Sequence, residues 1–177
     1  IGTYVRGSSE TNADAGDRAN DAIRITGAEI RARVVGEGAN LGMTQRARIE
    51  YALAGGRGNS DAIDNSAGVN SSDLEVNIKI ALAAAMRAGR LTRPARDRLL
   101  AEMTDEVAAL VLANNYEQTL ALSLARRRGL ADLAHQERLM QALEGRGLLD
   151  RAVEALPGSA AMAERQARGE PLTRPEL

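Results

Sequence analysis

An apolar, β-branched pair, Val34-Val35, runs directly into Gly36-Glu37-Gly38-Ala39-Asn40, and this junction limits the chain's folding options most. Beyond it, Thr44 opens an amphipathic segment carrying Ile49 and Leu53, and Gly55-Gly56 stops it. Ala62-Ile63-Asp64 then reads as a short strand leading into Asn65-Ser66-Ala67-Gly68-Val69, and Ser72-Asp73-Leu74-Glu75 opens a long helix. Strand, glycine turn, helix and strand make one βαβ unit, and such units place ligands at the carboxyl ends of their strands. The polar clusters around Asn40 and Asn65 both sit at such ends. The expected architecture is α/β followed by α: part of a Rossmann-like, doubly wound parallel sheet over residues 1–75, then an all-helical region over 76–177.

The glycine turn is not a first-turn dinucleotide fingerprint. Leu41 stands where a third Gly or Ala would allow close helix–strand packing, and Gly42 comes one residue late. The turn therefore belongs to a later crossover, or it needs glycine only for its backbone angles.

Two motifs carry a family resemblance. Glu37-Gly38-Ala39-Asn40, followed by Thr44 and Ala47, resembles the EGAN…T..A segment of glutamate dehydrogenases. Asn65-Ser66-Ala67-Gly68-Val69, then Ser72 and Glu75, resembles their NAGGV..S..E segment, in the same order. The flanking residues, through to Leu172-Thr173-Arg174-Pro175-Glu176-Leu177, look like the very large bacterial NAD-dependent glutamate dehydrogenases. That resemblance covers the whole chain, which would be a piece of a far longer polypeptide.

The resemblance implies reversible oxidative deamination of L-glutamate to 2-oxoglutarate and ammonium, with NAD as cofactor. It implies that Gly38, Asn40 and Asn65 lie at the cofactor and that Ser72 contacts the substrate's side-chain carboxylate. It also implies that the family's catalytic lysine and aspartate, substrate domain and phosphate-binding turn precede Ile1. No catalytic residue is then expected here, and the chain by itself should bind NAD weakly and turn over no glutamate. The remaining domains of the same polypeptide are its expected partners, in a homo-oligomeric full-length enzyme. Ala67 departs from the family's glycine, and Asp73 and Val76 replace residues that are commonly aromatic.

Composition narrows the field. The formal net charge of -1 gives no global attraction to nucleic acid or an anionic membrane. No apolar run approaches the ~20 residues of a membrane span. The chain has 0 Cys, which excludes disulfides and thiolate metal sites and fits the cytoplasm. Its single histidine, His135, cannot build a metal centre of ordinary ligand count and reads as a surface residue. With 0 Phe and 0 Trp, the core must come from Leu, Ile, Val, Met and Ala.

Further local expectations follow from spacing. Ile23 to Val35 reads as a hairpin turning at Thr26-Gly27. Arg46 and Arg48 fall opposite Ile49 and Leu53 and read as solvated surface. Ser72 and Glu75 form a capping-box pattern, with Leu74, Ile78, Ala81, Leu82 and Ala85 on the buried face. Leu91-Thr92-Arg93-Pro94 and its second copy at Leu172–Pro175 both read as helix starts. Asn114-Asn115-Tyr116 breaks an apolar row, through a kink or an interdomain contact. Helices are expected over 130–144 and 147–156. A competing reading makes residues 90–177 a helical interaction or regulatory module without a ligand site of its own.

Overall fold

The computed structural model describes residues 2–38 and 40–177. The chain divides into two compact units, one of residues 1–64 with 120–177 and one of residues 65–119.

The first unit is built on helix α1, Gln45–Leu53. Thr44 caps it as its sequence predicts: the hydroxyl accepts a hydrogen bond from Ala47 N at 3.1 Å. Met43, Ala47 and Tyr51 form the buried stripe, with Val5, Ile30 and Val35 packed against it. Tyr51, the one buried aromatic here, settles its hydroxyl by donating to Ala32 O at 2.8 Å.

The expected doubly wound sheet is absent among the described residues. Strands β1, Val5–Arg6, and β2, Ile25–Thr26, pair in parallel as a two-stranded sheet. Isolated parallel bridges add Val5 to Met43 and Val34 to Arg57. The molecule is mostly helical, and the reason lies in the apolar runs. A parallel sheet needs strands apolar on both faces, whereas Val34 is 67 % exposed and its run is only two residues long.

The hairpin fails for a related reason. β2 pairs with β1, and Gly27–Glu29 winds into a 3-10 turn. Glu29 closes that turn by accepting from Thr26 N and Thr26 Oγ1 at 2.7 and 2.8 Å. Ala62-Ile63-Asp64 is likewise helical, within α2, Asp61–Asp64. Ser60 accepts from Ile63 N and Asp64 N, and Asp61 Oδ1 from Ala62 N, so the segment's donors are satisfied locally.

A second core within this unit gathers Leu133 and Met140 of helix α5 (Leu133–Gly145), Met162 of helix α6 (Ser159–Arg168), and Leu172. Leu149, Leu156 and Leu177 cover it. Residues 151–155 form turns, not the predicted helix. Buried Arg151 holds them, bonding Glu137 Oε2 at 2.8 Å, Glu144 Oε2 at 3.0 Å and Pro157 O at 3.1 Å. Both Leu-Thr-Arg-Pro copies do start helical turns. Helix α4 begins at Arg93, and Arg174–Glu176 winds as a 3-10 turn in which Glu176 accepts from Thr173 N and Oγ1.

The second unit contains helix α3, Ser66–Arg87, and the larger part of helix α4, Arg93–Arg128. Of the predicted buried face on α3, Ile78, Leu82 and Ala85 are half-buried, while Leu74 and Ala81 are exposed. No helix among the described residues is long and apolar enough to cross a membrane.

Candidate functional site

The turn after Val35 is shaped by charge more than by glycine. Neither Gly36 nor Gly38 has a positive φ, and a Cβ built on either meets nothing within 4 Å. The left-handed positions are Asn40, at φ 59°, and Leu41, at φ 61°. Asparagine tolerates that region; leucine does so only against a steric cost. Ala39 lies outside the described residues.

Four charged side chains hold the turn. Asp64 Oδ2 accepts from Glu37 N at 2.9 Å, and Asp61 Oδ2 from Leu41 N at 3.3 Å. Glu37 Oε1 accepts from Gly42 N. Arg48 reaches back from α1, its Nη2 lying 2.6 Å from Glu37 Oε2 and 3.5 Å from Asp61 Oδ2. Arg48 is thus buried, at 5 % exposure, and is not the solvated residue its helical position suggests. Its stem packs in the core while its charge meets two carboxylates, a placement that hydrophobic periodicity cannot reveal.

A cavity of about 670 Å³ borders this turn. It is lined by Val35, Gly36, Gly56, Asn59 and Asp64, and by Arg57, Arg126 and Arg174 among others. Asn59 links its walls, donating to Asp64 Oδ1 at 2.7 Å and accepting from Arg174 Nε at 2.7 Å. Three guanidinium groups and one carboxylate give it the chemistry to hold an anionic or hydroxyl-rich molecule. The Gly55–Asn59 connection thus forms one wall. Arg174 comes from the far end of the chain, and no spacing in the sequence announces it.

Gly38 and Asn40 belong to the first unit, Asn65 and Ser72 to the second. Gly38 is exposed, Asn40 half-buried at the bend. Asn65 precedes α3, half-buried, and its side chain makes no capping bond. Its carboxamide lies over Gly68, where a Cβ would come within 2.4 Å of Asn65 Oδ1. Ser72 does not start the helix. α3 has begun at Ser66, so Ser72 is an exposed interior residue, and Glu75 pairs with Lys79 instead of closing a capping box. The positive helix pole expected at Ser72 therefore lies at Ser66. Freed from capping, the Ser72 hydroxyl has no hydrogen-bond partner among the described residues, and neither do the carboxamides of Asn40 and Asn65.

Comparison with known proteins gives these residues a context. The family described as "Bacterial NAD-glutamate dehydrogenase, catalytic domain" matches residues 1–125. A protein of Pseudomonas aeruginosa named NAD-specific glutamate dehydrogenase is 58 % identical over 177 residues, covering 100 % of this chain and 11 % of the relative. Namesakes from Halomonas elongata and Mycobacterium tuberculosis are 51 % and 47 % identical, again over 100 % of this chain and 11 % of their own length. The chain thus spans about a ninth of the length of the relatives it matches. With that much of the chain matched, and with both sequence motifs inside the matched region, the chain belongs to the bacterial NAD-dependent glutamate dehydrogenase family.

Proposed function

We propose that this chain is part of a large NAD-dependent glutamate dehydrogenase and supplies part of its cofactor and substrate sites. The parent reaction is the reversible oxidative deamination of L-glutamate to 2-oxoglutarate and ammonium. Asn40 and Asn65 bind the nicotinamide end of NAD, Gly38 admits the cofactor closely, and Ser72 contacts the substrate's side-chain carboxylate. One observation carries this reading. The amides of Asn40 and Asn65 and the hydroxyl of Ser72, at the family's motif positions, have no partner among the described residues.

Their chemistry fits. A neutral carboxamide donates and accepts at once, so it can match both a nicotinamide carboxamide and ribose hydroxyls without adding charge. NAD supplies the hydride acceptor when bound; the protein's part is to orient it. The open space over Gly38 suits close approach of a ligand to the backbone. The cysteine-free composition suits a reducing cytoplasm, and the full-length enzyme is a homo-oligomer.

Kinetics of the full-length enzyme test the assignment. Asn40→Ala and Asn65→Ala should raise the KM for NAD, and Ser72→Ala the KM for glutamate, by about tenfold for loss of a ligand hydrogen bond. Unchanged constants in all three would overturn it.

A second reading draws on residues 65–119. Val76, Ile80, Leu110, Leu112 and Tyr116 are all more than half exposed there, which favours a docking face for other parts of the polypeptide.

A further inference from the structure

We infer that Arg48 and Asp61, with Glu37, are positioning residues that preset the turn carrying Asn40 for the cofactor. The inference rests on the cofactor reading of Asn40.

The backbone of this turn is not one the sequence would adopt unaided. Two consecutive residues, Asn40 and Leu41, are left-handed, and a leucine there is disfavoured in any free loop. Such a conformation persists only where the surroundings over-determine it. Here they do. The amides of Glu37, Leu41 and Gly42 each donate to a carboxylate, from Asp64, Asp61 and Glu37 respectively. Two of those three carboxylates are tied to a single nitrogen, Arg48 Nη2.

The cation therefore does two things. It offsets the repulsion that would part Glu37 and Asp61, and it fixes the carboxylates from which the turn hangs. Because α1 is capped and packed through Ala47 and Tyr51, the position of Arg48 is inherited from the rigid core. The turn thus takes its geometry from α1, and the backbone that carries the Asn40 side chain is placed before any ligand arrives. Pre-organisation of this kind appears in affinity, since less ordering is left to be done on binding.

Steady-state kinetics of the full-length enzyme test it with four single variants and one double. Asn40→Ala is the reference for loss of the amide itself. Asp61→Ala removes the acceptor of Leu41 N at a partly exposed position; Arg48→Met removes the central charge; Arg48→Lys restores a point charge. Asp61→Ala and Arg48→Met should raise the KM for NAD by about tenfold, as for a lost charge-assisted hydrogen bond. The KM for glutamate should stay within about twofold, and Arg48→Lys should recover most of the loss. The double variant Asn40→Ala/Asp61→Ala should be no worse than Asn40→Ala, because both act through one amide. Should Arg48→Met not fold, Asp61→Ala decides. If Asn40→Ala leaves the NAD KM unchanged, the cofactor reading fails and this inference with it. If Asn40→Ala raises it while Asp61→Ala does not, or if their effects multiply, the positioning role alone is overturned.

Discussion

Asn115 donates its side-chain amide to the buried Oγ of Ser66 at 2.6 Å, joining the middle of α4 to the first residue of α3. One residue earlier, Asn114 Oδ1 accepts from Asn70 Nδ2 at 2.7 Å. The polar break in the apolar row of α4 therefore has partners within its own unit. It is a pair of amide contacts inside one unit, where Val111 is the lone buried apolar side chain among the described residues. Ser66→Ala should cost residues 65–119 about 1 kcal/mol, and Asn115→Ala about 1–3 kcal/mol because the buried hydroxyl then loses a donor. A double-mutant cycle read by urea denaturation checks this: the two losses should be strongly non-additive.

Arg151 is the corresponding organiser of the helical end of the first unit. Its guanidinium gathers Glu137, Glu144 and Pro157 O around the turns at 151–155. Arg151→Met keeps most of the volume but strands Glu137, which also accepts from Ser159 Oγ at 2.6 Å. The expected loss is about 2 kcal/mol, below the value for a fully buried pair because Glu137 retains some solvent contact. Chemical denaturation at neutral pH measures it.

The same pair sets an acid limit. Burial pushes the Glu137 carboxyl up, but hydrogen bonds from Arg151 and Ser159 outweigh it and hold the group below its ordinary 4.5. A carboxyl depressed in the folded state binds fewer protons there than in the unfolded chain. Its stabilisation is complete above 4.5 and is lost as pH falls through the lower folded value. Glu137→Gln should therefore be less stable than wild type at pH 7, and the difference should shrink on acidification below pH ~4.5. A Tm series across that range reads it directly.

How far the sequence reveals this fold depends on the range of the interaction. The Thr44 cap is legible because capping acts within a few residues. The expected face of Ile49 and Leu53 is only half right: Ile49 is buried, Leu53 is 57 % exposed, and the stripe in the core runs through Ala47 and Tyr51. The sheet was not legible: whether Val34-Val35 becomes a strand depends on partners and covering layers, and among the described residues this pair forms one bridge, to Arg57. Ser72 misled because a capping pattern specifies a possible helix start, not the first one, and helical geometry was already under way from Ser66. Asn40 and Asn65 are legible only as members of the two family motifs. Arg48 stayed hidden because its partners Glu37 and Asp61 are remote in sequence on either side. Gly27 belongs with it: its role is visible only in three dimensions, where a Cβ would meet Ala47 O at 2.7 Å. Gly27→Ala should force β2 away from α1 and destabilise by about 1–3 kcal/mol, measurable by thermal melting.

Gly68 separates stability from function most cleanly. It is an exposed glycine inside α3 with φ outside the left-handed region, so alanine there should stabilise the helix by up to about 1 kcal/mol. The new methyl would occupy the space of the Asn65 carboxamide, whose Oδ1 lies 2.4 Å from the built Cβ. That oxygen is the end of a flexible side chain, so it can rotate away at little cost to the fold. If Asn65 serves the cofactor from its present rotamer, Gly68→Ala should raise the Tm of the full-length enzyme or leave it unchanged while increasing the KM for NAD several-fold. Asn65→Ala should show the same kinetic defect, and the two substitutions together should be no worse than either. A Gly68→Ala enzyme with unaltered NAD dependence would mean that the carboxamide's position over Gly68 has no part in cofactor binding.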